Sequence, residues 1–67
     1  MPRIEVQGKD REVADGCTVA GLLDDLELDG RLVVVELNRH IIRRTEIDDV
    51  VLHDGDRVEI VHFVGGG

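Results

Sequence analysis

The residues of this 67-residue chain best suited to chemistry are its last five, Phe63-Val64-Gly65-Gly66-Gly67. Glycines have no side chain with which to recover the freedom they lose on ordering, so the sequence predicts residues 65–67 as a flexible, exposed tail. Such a tail offers the carboxylate of Gly67 on a stem with no Cβ to obstruct a narrow channel. Counting Val64, the stem reaches about 10–14 Å from the last packed residue, deep enough for another protein's active site. The group is ionised at neutral pH, with a reference pKa of about 3.3–3.7, and resonance protects it from attack. It reacts only after conversion to a mixed anhydride, and no nucleotide site is visible in so small a chain. The chemistry is therefore expected to be done on this protein by another. The competing reading is a frayed terminus or a cloning remnant. The remnant is disfavoured because Val61-His62-Phe63-Val64 runs into the glycines without a linker.

Other reactive side chains make weaker cases. Cys17 lies just before an expected helix, where the helix dipole lowers a thiol pKa, but a lone cysteine in a small domain is more often an inert filler. His40, His53 and His62 show no spacing that gathers them round a metal. Asp24, Asp25 and Glu27 read as a solvated acidic face, since nothing nearby buries either aspartate and raises its pKa. Asp54-Gly55-Asp56 lacks the spaced acids and closing glutamate of a calcium loop and reads as a turn. The glycine run is not a phosphate loop, because no helix follows it. No nucleophile stands beside a base, so the chain is not expected to be an enzyme, nor to bind a cofactor of its own.

Fifteen acids against eight bases give a net charge of −7. That balance repels phosphate backbones, and with Phe63 as the only aromatic there is nothing to stack bases; nucleic-acid binding is excluded. An acidic surface favours encounter with a basic partner surface instead. The N-terminus shows no apolar signal region, and the apolar runs Leu32–Val35 and Val50–Leu52 are far too short to span a bilayer. No membrane partner is expected, and the location is expected to be cytoplasmic. A single cysteine rules out an internal disulfide. Stability must come from packing Val, Ile and Leu, and a domain of this size rarely gains more than about 3–5 kcal/mol from its core.

The elements that would hold the tail follow from periodicity. Ile4 and Val6 alternate with charged neighbours, Gly8-Lys9-Asp10 is turn chemistry, and Arg11–Ala14 returns with Val13 inward: a hairpin. Thr18 is a helix N-cap. Val19, Leu22, Leu23 and Leu26 follow at i, i+3, i+4 and i+7, and Gly30 is the expected stop. Leu32–Leu37 is the strongest strand, with Val33, Val35 and Leu37 on one face and Val34 on the other. Asn38-Arg39 suits a tight turn into a short strand, His40–Ile42. Arg43-Arg44-Thr45 is a polar connection, and Ile47–Leu52 is ambiguous. His53-Asp54-Gly55-Asp56 turns into a last strand, Arg57–Val64. This order predicts an α+β roll: residues 1–64 form one domain, a sheet of four to five strands packed on one main helix.

Val58 and Ile60 belong to the core face of the last strand, which puts Val61 and Phe63 on the other. Val34 lies near them if the two long strands are neighbours. Ordering a tail costs about 1–2 kcal/mol per residue, so its own contacts supply little affinity. Val34, Val61 and Phe63 are therefore the expected partner-docking patch.

Thr18-Val19-Ala20 leading into Leu22-Leu23, then Val35-Glu36-Leu37-Asn38, Asp54-Gly55-Asp56 and Phe63-Val64-Gly65-Gly66-Gly67 together resemble the ThiS-type sulfur carriers of thiamine biosynthesis. The match covers essentially the whole chain; Glu-Leu-Asn and Phe-Val-Gly-Gly-Gly discriminate most. Ile42-Arg43-Arg44-Thr45 departs from the Val-Pro-Arg-Ser common in that family. The resemblance implies a β-grasp, ubiquitin-like fold with a mixed sheet. It also implies that a ThiF-like enzyme adenylates Gly67 with ATP, that a persulfide drawn from cysteine by a desulfurase displaces AMP, and that thiazole synthase takes sulfur from the resulting thiocarboxylate. Gly65 and Gly66 would thread the partner's channel. Carriers for molybdopterin or cysteine synthesis use the same end chemistry. A ubiquitin-like modifier, whose activated Gly67 is captured by a lysine, uses the same adenylate.

Overall fold

The alternation of Ile4 and Val6 with Arg3 and Glu5 produces strand β1 (Arg3–Val6), which turns back into β2 (Lys9–Glu12) in a computed structural model that describes residues 1–62. The turn is Gln7-Gly8, both in the left-handed region with φ of 52° and 80°. Positive φ at both central positions is the mark of a type I′ hairpin turn, and the glycine supplies one at no steric cost. Lys9 and Asp10, expected in the turn, are therefore already in β2, opposite Val6 and Glu5.

Helix α1 (Val19–Asp25) begins where expected: the Thr18 hydroxyl accepts the Gly21 N–H at 3.1 Å. The segment left ambiguous in the sequence completes this end. Val19 N–H donates to the Val50 carbonyl and Ala20 N–H to the Ile47 carbonyl, both at 2.9 Å, so the free donors of the first turn are satisfied. Val51 bridges Thr18, and Leu52 enters the core. The helix ends earlier than Gly30. Glu27 takes the left-handed conformation, φ 59°, with Glu27 N–H donating to the Asp24 carbonyl and Leu28 N–H to the Leu23 carbonyl. That paired closure is the usual glycine-terminated helix end, formed here with a glutamate. Gly30 serves close packing instead: a Cβ there would lie 2.9 Å from Ile47 Cδ1.

Strands β3 (Val33–Leu37) and β4 (His40–Ile42) are joined by Asn38-Arg39, with φ of 50° and 73°. A single 3₁₀ turn, Arg44–Glu46, occupies the polar connection. The last described strand, β5 (Arg57–His62), follows the Asp54-Gly55 turn. The sheet order is β2-β1-β5-β3-β4, with β5 parallel to β1 and antiparallel to β3. This mixed five-stranded sheet with one helix is the α+β roll expected. Its buried core comprises Ile4, Val6, Val13, Val19, Leu22, Leu23, Val33, Val35, Leu52, Val58 and Ile60. No helix among the described residues is long and apolar enough to cross a membrane.

Between α1 and β3 the chain is pinned by Asp29, whose carboxylate accepts from the Arg31 guanidinium at 2.8 Å and from its backbone N–H at 2.9 Å. Side-chain and then backbone hydrogen bonds from Arg31 hold the Asp29 carboxyl down at about 2. A depressed carboxylate pKa stabilises the fold above the ordinary carboxylate range, and that contribution is lost as pH falls toward the depressed value. The Asp29 side-chain resonance is expected to titrate with a midpoint of about 2. In the Arg31→Gln variant it should return toward the ordinary aspartate range; a midpoint unmoved by that change would show the interaction absent.

Candidate functional site

The sequence directs attention to the end of β5, and the sheet determines how that end is held. β5 lies between two strands, so its backbone is paired on both sides. Glu5 N–H and Gln7 N–H donate to the Asp56 and Val58 carbonyls at 2.9 and 3.0 Å, and the β3 ladder runs from Leu37↔Val58 to Val33↔His62. β1 has turned away before Ile60, yet the pairing continues through a side chain. The Gln7 amide donates from Nε2 to the Ile60 carbonyl at 2.8 Å, and its Oε1 accepts the Ile60 N–H at 3.0 Å. One side chain thus takes the place of a missing backbone unit of β1. Sequence reasoning did not find this clasp, because a glutamine at a turn reads only as polar.

The root of β5 is fixed as firmly. Asn38 Oδ1 accepts the Arg57 N–H at 2.9 Å, and its Nδ2 donates to Asp56 Oδ1 at 3.0 Å. Asp56 Oδ2 accepts the His53 N–H at 2.7 Å, and Asp54 Oδ1 accepts the Arg3 N–H at 2.9 Å. The Asp-Gly-Asp segment is therefore a turn, as its sequence indicates.

Strand alternation places Val58 and Ile60 in the core and Val61 on the outer face, where it is 55% exposed directly opposite half-buried Val34. The structure thus brings together two of the three expected docking residues. It adds Ile41, 67% exposed, which stands opposite Glu36 on the same face. Ile41 was missed because a strand of three residues carries too little alternation to assign its face. Glu36 and Glu59 face each other across β3 and β5 on this surface. Directly opposed like charges are unfavourable, and neither is in an ion pair among the described residues. The outer face is an apolar strip beside an uncompensated pair of carboxylates. Phe63, the third expected docking residue, and Gly65, Gly66 and Gly67 lie outside the described residues.

The other candidates resolve plainly. Cys17 is half-buried and its Sγ contacts the Thr18 carbonyl at 3.4 Å. Burial first, and then the charge of Asp25, push its thiol pKa up against the opposing effect of Arg11. That favours the neutral thiol and argues against a nucleophile. His40, His53, His62, Asp24, Asp25 and Glu27 are exposed, and no metal-competent cluster occurs among the described residues.

Comparison with known proteins places this geometry. Residues 3–67 match the ThiS family. The sulfur carrier protein ThiS of Bacillus subtilis is 42% identical over 65 residues, spanning 96% of this chain and 98% of that protein. A thiazole synthase of Paramagnetospirillum magneticum is 38% identical over 97% of this chain, which spans only 20% of that longer protein. The crystal structure of the thiamine biosynthesis protein ThiS from Geobacter metallireducens superposes with a TM-score of 0.83 at 37% identity, covering 97% of this chain and 99% of that one.

Removing the clasp tests what holds the end of β5. Gln7→Ala leaves the Ile60 N–H and carbonyl without these partners and should cost about 1–3 kcal/mol of unfolding free energy. Hydrogen exchange at the Ile60 amide should accelerate more than at Val35. Unchanged exchange at Ile60 would show that the clasp does not hold the strand.

Proposed function

The chain belongs to the ThiS family and is a sulfur carrier protein of thiamine biosynthesis; from that premise we propose that the sulfur is carried on the carboxylate of Gly67. The observation that carries this reading is the family match, which runs through residue 67 and so includes every glycine of the tail. The fold supports it. Pairing on both sides of β5, extended by Gln7, fixes the position and direction of the strand as far as His62.

The carboxylate oxygen attacks the α-phosphorus of ATP in a ThiF-like adenylating enzyme, releasing pyrophosphate and giving the acyl-adenylate. A persulfide generated by a cysteine desulfurase attacks the carbonyl, AMP leaves, and thiol reduction of the S–S bond frees the thiocarboxylate. Thiazole synthase accepts the sulfur. The presence of a stretch similar to this chain within a protein named thiazole synthase supports that assignment over molybdopterin or cysteine synthesis. This chain is the co-substrate throughout; Gly65 and Gly66 pass through the partner's channel, where any side chain would collide. ATP belongs to the partner.

Docking supplies the affinity that a tail does not. Val34, Val61 and Ile41 offer the apolar contact, Phe63 extends it, and the Glu36–Glu59 pair favours a partner surface bearing a cation beside its own apolar residues.

Incubation with a ThiF-like enzyme, ATP and a persulfide donor should raise the intact mass by the difference between sulfur and oxygen. The variant lacking Gly67 should remain folded and unloaded; loading of that variant would refute the assignment. Val61→Asp should weaken binding to the adenylating enzyme at least about tenfold while changing stability by no more than about 1 kcal/mol. A loss of stability without loss of binding would remove Val61 from the interface.

A further inference from the structure

The side of the sheet facing away from Val61 carries a second surface of different chemistry. A groove of about 410 Å³ lies between β2 and the segment after α1. Val6, Ile60, Leu26 and Leu28 give it apolar walls, and Lys9 and Arg11 line its β2 side. Strand register explains the cations. Lys9 stands opposite Val6 and Arg11 opposite Ile4, so both occupy the face of the sheet that elsewhere packs on the helix. Helix α1 is only seven residues long, and Leu26 and Leu28 beyond it remain half-buried.

Three observations define what fits there. Lys9 and Arg11 form no ion pair among the described residues, and Arg11 Nε is buried without an acceptor. The carboxylate of Asp10 belongs to the opposite face by register, although Asp10 also borders the groove. Finally, β2 is an edge strand. The Val6–Lys9 and Ile4–Arg11 pairs direct their backbone groups toward each other, so alternation turns the N–H and carbonyl groups of Asp10 and Glu12 outward. No backbone hydrogen bond outside the β1–β2 pair uses those two residues among the described ones.

A free strand edge, an apolar floor and two uncompensated cations thus coincide on a chain whose net charge is −7. We propose that this groove docks an extended protein segment with an aliphatic centre and an acidic flank. The segment adds as a strand beside β2, its aliphatic side chains over Leu26 and Leu28 and its carboxylates on Lys9 and Arg11. The site is separate from the Val34–Val61 face, so this partner and an adenylating enzyme docked there can be held together. The inference does not depend on sulfur transfer.

The test is an NMR titration of the full chain with an acetylated peptide, Glu-Val-Ile-Val-Asp-Glu, and with its counterpart carrying lysine at each acidic position. The acidic peptide should shift the amides of Asp10, Glu12, Leu26 and Leu28 and leave Val34 and Val61 in place. Its affinity should fall as salt is added, through screening of the two cations. The double variant Lys9→Gln/Arg11→Gln should bind about tenfold more weakly, a loss of about 1.4 kcal/mol. Absence of binding, equal binding of both peptides, salt-independent affinity or shifts centred on Val61 would each overturn the proposal. So would two other occupants: shifts on raising protein concentration alone would identify a second copy, and tenfold tighter peptide binding after removal of residues 63–67 would identify the chain's own end.

Discussion

The central position of β5 is the constraint on which the rest of this small structure depends. The last described strand is paired on one side with β1 and on the other with β3, and Val58 and Ile60 are sealed into the core. Each neighbouring feature follows from keeping it there. Asn38, Asp54 and Asp56 lock the turn at its start, and Gln7 extends its pairing past the point where β1 turns away. The result is a rigid root for whatever the chain carries beyond residue 62. Fixing β5 at both its start and its far end sets the direction in which the strand points.

The elements were legible in the sequence where one local rule dominated. Period-two alternation located β1, β3 and β5, the i, i+3, i+4 spacing located α1, and Thr18 was readable as its cap. The shared outer face of Val34 and Val61 was readable too, because alternation in two long strands leaves only their adjacency to be supplied. Failures came where tertiary contacts overrode local signals. Gly30 looked like the helix stop, but a hydrogen-bonded closure through Glu27 ends the helix sooner, and Gly30 packs closely against the tip of Ile47. Ile47–Leu52 had no period because its work is done by carbonyls that receive the first N–H groups of α1. Gln7 and Ile41 were invisible for simpler reasons: Gln7 acts on a strand 53 residues away, and Ile41 sits in a strand of three residues, too short for alternation to assign its face.

Charge divides the surface as sheet geometry does. The outer face combines aliphatic side chains with the opposed carboxylates of Glu36 and Glu59, whereas the helix side carries Lys9 and Arg11 beside Leu26 and Leu28. A partner suited to one is therefore mismatched to the other. Two surfaces of opposite sign would allow different partners to be told apart while sharing one scaffold.

The parallel register between β1 and β5 has a further consequence, for the order of events during folding. Glu5 meets Arg57 and Val6 meets Val58, so segments about fifty residues apart must meet before the middle of the sheet exists. Only β5 joins the β1–β2 hairpin to the β3–β4 hairpin. Closure of the sheet is thereby a long-range event, slower to form than either hairpin alone.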